Sequence, residues 1–211
     1  MSAEPGLRER KKQQTHQAIA EAAQQLFAER GFDAVTVAEV ARAADVSEGT
    51  VFNYFPTKED LFYSGMQVFE AELVEAVRNR GAGESVLQAF RSFLRERSGR
   101  LAKEEVAGIV AEAARVIAAS PALQAREREI VARYTDALAA VIAEETSAGV
   151  DDLEPWAVAN ALMGVQRGLV VRVREKVLAG ASGPKLAAYV RTQSERAFAR
   201  LERGLGDYEV K

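Results

Sequence analysis

The chain has no cysteine and a single histidine, His16, in 211 residues. Without thiols it can build neither a disulfide framework, nor a thiolate zinc site, nor a cysteine nucleophile. One imidazole excludes paired-histidine metal sites. A serine triad would have to use His16, which sits in a charged amino-terminal lead far from any nucleophile turn. No apolar run approaches the ~18 residues of a membrane span, and the basic stretch MSAEPGLRERKK is not followed by the apolar segment of a signal peptide. The expectations are therefore no catalytic residues, no metal, no cofactor, no membrane partner and a cytoplasmic location. A large excess of one charge is missing too: the net charge is −3 and the pI near 5.5, which gives no global sign of nucleic-acid binding.

What is present is helix-forming. Only 5 prolines and 15 glycines separate long stretches of Ala, Leu, Val, Glu and Arg, with apolar positions recurring at a helical period. The fold class is all-α, with about nine helices. A first helix is expected over 8–30, with Ile19, Ala23, Leu26 and Phe27 in its apolar stripe and Gly31 as C-cap. Thr36 and Glu39 have the spacing of a capping box for a short helix to Ala44. Asp45-Val46-Ser47 forms a turn, and Ser47 caps a third helix over 48–55 that Pro56 ends. Thr57 caps a long helix expected over 58–80. Two short helices joined by a tight turn and preceded by a longer one make a helix-turn-helix head over 1–57. Residues 58–211 form a helical body, with further helices at about 83–97, 101–119, 121–147, 153–179 and 184–203.

The third helix has the pattern a recognition helix needs. Val51 and Phe55, at i and i+4, can face the core, leaving Gly49, Thr50, Phe52, Asn53 and Tyr54 near the opposite side. Gly49 permits close backbone approach, and the Thr50 hydroxyl suits a phosphate. Asn53 can hydrogen-bond a base edge or a phosphate, while Phe52 offers apolar contact, for which a thymine methyl is the natural partner. Tyr54 and Lys58 would clamp the backbone on either side. The same two aromatics, Phe52 and Tyr54, could equally form a packing surface.

The run from Thr36 through Ala41, Arg42, Ser47, Gly49, Val51 and Tyr54 to Pro56, Lys58 and Leu61 resembles the DNA-binding signature of the TetR family of transcriptional regulators. The likeness extends back to Phe32 and through the first helix. It implies a dimeric, ligand-responsive regulator, usually a repressor, whose third helix enters the major groove of a double-stranded operator. Family roles fall on Thr36 and Lys58 as phosphate contacts and on Thr50, Phe52, Asn53 and Tyr54 as recognition-helix contacts. Where the family often has tyrosine this chain has Phe52, which removes a hydroxyl from the DNA side. The candidate DNA-binding set is Thr36, Arg42, Ser47, Gly49, Thr50, Phe52, Asn53, Tyr54 and Lys58.

The resemblance also implies that the body holds an effector pocket and a dimer interface built by the last two helices. Candidate pocket residues are Phe69, Leu73, Phe90, Phe93, Ile109, Glu112, Val116, Tyr134 and Leu138, the two polar ones supplying the convergent groups a pocket needs. A largely apolar pocket would favour lipophilic, acyl or aromatic molecules. Small residues at helical spacing, Ala161, Gly164 and Gly168, permit close helix approach, and with Trp156, Arg167, Val171, Tyr189 and Leu201 they are the candidate dimer interface. Arg167 can snorkel to solvent, pair across the dimer or reach an anionic ligand. The competing reading is a helical small-molecule-binding or scaffold protein without DNA binding. Residues 1–60 carry 7 basic against 10 acidic side chains, so DNA binding rests on placement: Arg8, Arg10, Lys11 and Lys12 lead the first helix, and Arg42 and Lys58 flank the recognition helix.

Overall fold

The computed structural model describes residues 6–205. Among them every regular element is helical: α1 (Leu7–Arg30), α2 (Val37–Ala43), α3 (Glu48–Tyr54), α4 (Lys58–Phe62), α5 (Met66–Arg78), α6 (Val86–Gly99), α7 (Glu104–Ala119), α8 (Pro121–Thr146), α9 (Glu154–Leu178) and α10 (Gly183–Leu205), with a 3₁₀ turn at Arg100–Ala102. Of the described residues, 6–67 with 116–124 form one compact unit and 68–115 with 125–205 the other. The sequence reading divides the chain at 57/58 and gives no sign that residues 116–124 join the first unit.

The first unit is organised by its caps. Gly31 ends α1 at φ +78°, a conformation open to glycine, with its N–H donating to Phe27 O. The Thr36 hydroxyl accepts from Glu39 N, and the Glu39 carboxylate accepts from Thr36 N at 2.8 Å, which completes the expected capping box of α2. Ile19, Phe27, Val40, Val51, Phe55, Leu61 and Leu123 are almost fully buried and form its core, each removed from water at a gain of roughly 1.5–3 kcal/mol.

One helix is expected over 58–80, but the structure interrupts it at residues 63–65. The Tyr63 N–H closes α4 on Glu59 O, its ring is buried, and its hydroxyl donates to Leu123 O at 3.0 Å. Gly65, a weak helix former, follows in the break. A hydrogen bond to a residue sixty positions away overrides a local pattern that is helical throughout.

In the second unit α10 packs against α9, α6 and the 3₁₀ turn. Its buried stripe of Leu186, Val190, Ser194 and Phe198 follows a four-residue period. Ala107, Ala111, Val173, Val177, Leu186 and Val190 form one cluster of this core, and the Phe90 and Phe198 rings meet at 6.1 Å elsewhere in it. Arg80, with a fully buried side chain, donates to Val77 O at 2.8 Å and Glu84 O at 3.0 Å and pairs with Glu145, so its charge is hydrogen-bonded where it is desolvated. Because Phe198 is wholly buried, Phe198→Ala should cost about 3–5 kcal/mol of stability, read as a lower urea midpoint in equilibrium unfolding; an unchanged midpoint would contradict this packing.

Candidate nucleic-acid interface

The turn between α2 and α3 is set by Asp45 at φ +54°, a left-handed conformation that aspartate tolerates better than most residues. Val46 N then donates back to Ala41 O at 2.9 Å. Ser47 caps α3 as expected: its Oγ accepts from Thr50 N at 3.0 Å and lies 2.8 Å from the Thr50 hydroxyl.

This geometry gives α3 one buried and one open face. Val51 and Phe55 have no exposed surface, Asn53 and Gly49 are exposed, Phe52 is 47% exposed, and Tyr54 is half-buried. A Cβ built at Gly49 would meet only Ser47 Oγ, at 3.8 Å. The protein's own packing therefore does not demand glycine there, and the space lies on the open face. His16 was not part of the expected set, yet its ring packs on Phe55 at 4.6 Å and edge-on to Tyr54 at 6.2 Å. Its burial lowers its pKa and favours the neutral imidazole. The signal for it was spacing: His16, Ile19, Ala23 and Phe27 lie on one face of α1.

The flanking candidates are more constrained than the sequence implies. Thr36 is exposed, but its hydroxyl already donates to Glu39 Oε2 at 2.8 Å while accepting from Glu39 N. Ser47 is likewise engaged as a cap, whereas Arg42 is exposed on α2. The Lys58 ammonium lies over the Phe32 ring, 4.2 Å from its centroid. Burial lowers the Lys58 pKa, and the neighbouring Asp33, Glu59 and Glu39 oppose that shift. Asp33 in turn accepts a hydrogen bond from the buried Ser120, the residue before α8. No local signal in the sequence joins Asp33 to Ser120.

The candidate effector residues do not form one group. The ring of Phe69 stacks on Tyr134 at 5.6 Å and meets Phe93 edge-on at 5.3 Å. Arg97 lies over Phe69 and Phe93, and Arg133 over Tyr134. Each guanidinium is paired, Arg97 with Glu72 and Arg133 with Glu70. Burial raises the pKa of the Tyr134 hydroxyl. Leu73, Phe90 and Leu138 are fully buried. Ile109, in contrast, is 70% exposed, and Glu112 pairs with Arg115 on the same open side of α7. Their placement in an enclosed lining needs correction: the inner face of α7 is the alanine series Ala107, Ala111 and Ala114. Val116 belongs to the first unit.

The candidate interface residues of α9 leave an open face. Trp156 and Val171 are each about half exposed, Arg167 and Gly168 are exposed, and Ala161 and Gly164 are half-buried. A Cβ at Gly164 or Gly168 would have nothing within 4 Å. On α10, Tyr189 and Leu201 are half-buried, and Lys176 lies over the Tyr189 ring.

Residues 19–64 match the family model of bacterial regulatory proteins of the tetR family, and residues 84–206 match that of the MftR C-terminal domain. The HTH-type transcriptional regulator TcmR of Streptomyces glaucescens is 29% identical over 152 residues, covering 70% of this chain and 67% of that protein. The putative mycofactocin biosynthesis transcriptional regulator MftR of Mycobacterium tuberculosis is 28% identical over 163 residues, covering 74% and 78%. Among solved structures, a putative TetR-family transcriptional regulator from Mesorhizobium loti superposes with a TM-score of 0.55 at 18% identity, over 90% of this chain and 96% of that one. The transcriptional regulator FadR from Bacillus subtilis, in complex with stearoyl-CoA, gives 0.53 at 20% identity, over 87% and 98%. At these identities the structural likeness bears on the fold.

The Thr36 amide, then Arg30 and the Thr36 hydroxyl, hold the Glu39 carboxyl down at about 2, below its ordinary value of 4.5. A depressed carboxyl contributes its stability above the ordinary value and loses it as pH falls through the depressed one. Glu39→Gln should therefore lower stability at neutral pH and flatten the loss between pH 4.5 and 2, measured as urea midpoints across that window; parallel profiles for the two proteins would refute the assignment.

Proposed function

The chain belongs to the TetR family of bacterial regulatory proteins, and from that membership we propose a homodimeric repressor that binds a pseudo-palindromic operator and is released by a small molecule. It is a helix-turn-helix transcriptional regulator, of a family of regulators and not of enzymes. The observation that carries the finer reading is the split of α3 into a buried face of Val51 and Phe55 and an open face of Gly49, Phe52 and Asn53. Two such helices would enter successive major grooves about 34–36 Å apart. Asn53 reads a base edge, Phe52 makes apolar contact, and Thr50, Tyr54 and Lys58 hold phosphates. Lys58 must leave or share its place over Phe32 to do so, which links its phosphate contact to the Asp33 and Ser120 hydrogen bond beside it.

Dimerisation through α9 and α10 is supported by the open face of α9. Trp156, Asn160, Gly164, Arg167, Val171 and Leu178 recur three, four or seven residues apart and so share one side of the helix. Its glycines have no steric purpose within the chain. A second copy of the same face, related by a two-fold axis, could approach closely there.

The effector reading is supported by the Phe69, Phe93 and Tyr134 cluster under Arg97 and Arg133. A largely apolar or aromatic molecule would displace these ring contacts. Helices α7 and α8 run from the second unit into the corner at 116–124, which belongs to the first. Tyr63 and Asp33 hold that corner through Leu123 O and Ser120. An effector that prefers a different arrangement of α7 and α8 would act on the head through this corner, and only by as much as its affinities for the two arrangements differ.

Two measurements test this. In gel shifts with the promoter DNA beside its own gene, Asn53→Ala should cost about 1–3 kcal/mol of specific binding and spare binding to unrelated duplex, whereas Lys58→Ala should weaken both and lower the salt slope by about 1 per protomer. Equal effects would reject the division of roles, and ligand binding without any DNA complex would favour the scaffold reading. In sedimentation, Gly164→Leu with Gly168→Leu should convert a dimer into a folded monomer, since the chain itself leaves room for both side chains; a dimer of unchanged strength would place the interface elsewhere.

A further inference from the structure

The first three turns of α1 precede the segment that matches the family's DNA-binding model, which begins at residue 19. They also hold most of the head's positive charge: four of the seven basic residues in 1–60 are Arg8, Arg10, Lys11 and Lys12. Arg8, Lys11, Lys12 and Thr15 stand at i, i+3, i+4 and i+7, which is one face of a helix. That face forms one wall of an open groove of about 880 Å³. Thr50, Asn53 and Tyr54, again at i, i+3 and i+4, form the opposite wall. The groove therefore lies between a cationic helix end and the open face of the recognition helix.

The three cations are exposed, and none has an ion-pair partner among the described residues. This contrasts with the second unit, where Arg78, Arg80, Arg91, Arg97, Arg133 and Arg174 are each paired with a glutamate. Exposed cations facing Asn53 and the two phosphate-contact candidates Thr50 and Tyr54 fit a phosphate strand. A helix seated in the major groove has such a strand along each edge of that groove.

We propose that Arg8, Lys11 and Lys12 form a second backbone clamp of the DNA site, holding the phosphate strand that passes between α1 and α3. The inference rests on the regulator reading and deepens it. The clamp supplies affinity and salt dependence, while sequence choice stays with α3. It also answers the charge deficit of the head, because three of the head's seven basic residues line this groove.

The test is a salt titration of operator binding by the full-length protein and by the triple variant Arg8→Ala, Lys11→Ala, Lys12→Ala. Three phosphates per protomer make six per dimer, and at about 0.9 per phosphate the slope of log K against log salt should become less steep by about 5. The ratio of operator to scrambled-duplex affinity should stay constant, unlike in Asn53→Ala, and thermal unfolding should be unchanged because the three side chains are exposed. An unchanged slope with specific binding intact overturns the clamp alone. Saturable binding of inorganic phosphate or pyrophosphate that the variant loses, with an unchanged DNA slope, overturns it in favour of a small-anion site. A wild-type protein that binds no duplex overturns the clamp and the regulator reading together.

Discussion

The burial of Val51 and Phe55 on one side of α3 is the constraint on which the site depends. A seven-residue helix has too few internal hydrogen bonds to be stable alone, so its orientation comes from packing. Both side chains are buried with core residues of α1, α2 and α4, and the His16 ring packs against Phe55 at a tilt. Once that side is fixed, the helical period fixes the other: Phe52 and Asn53 must face outward. The Ser47 and Thr36 caps then set where α3 and α2 begin, so the register of the open face follows from two hydroxyl hydrogen bonds and two buried side chains.

Charge is arranged by position and not by amount. The head is acidic in sum, yet three of its ten carboxylates have structural work: Glu39 and Asp60 close capping boxes, and Asp33 receives the Ser120 hydroxyl. Of its basic residues, Arg8, Lys11 and Lys12 line one groove with Thr50, Asn53 and Tyr54. Glu48 is exposed in the first turn of α3. It complements the helix dipole, and a phosphate near it would be repelled, which narrows the ways a duplex can sit on this face.

The head was legible in the sequence because its determinants are local. The Thr36–Glu39 capping box, the Ser47 and Thr57 caps, the Asp45 turn and the i, i+4 pair Val51 and Phe55 each depend on residues within a few positions of one another, and the structure places them as that logic requires. What was not legible depends on distant partners. The break after α4 follows from Tyr63 reaching Leu123, and the corner at 116–124 joins the head through Ser120 and Asp33. In α7 the larger apolar side chain misled: Ile109 is exposed while the small Ala107 and Ala111 are buried, because close packing against Val173, Val177 and Leu186 selects a face by fit. Phe69, Phe93 and Tyr134 do meet, although their apolarity alone could not distinguish a shared cluster from three separate core positions.

The central claim is that two copies of the open α3 face read one stretch of duplex. Hydroxyl-radical footprinting of the promoter region beside the chain's own gene tests it directly. The account predicts two protected patches related by an approximate two-fold and centred about one helical turn, roughly 10 base pairs, apart. A single unrepeated patch, or uniform weak protection along the duplex, would contradict it.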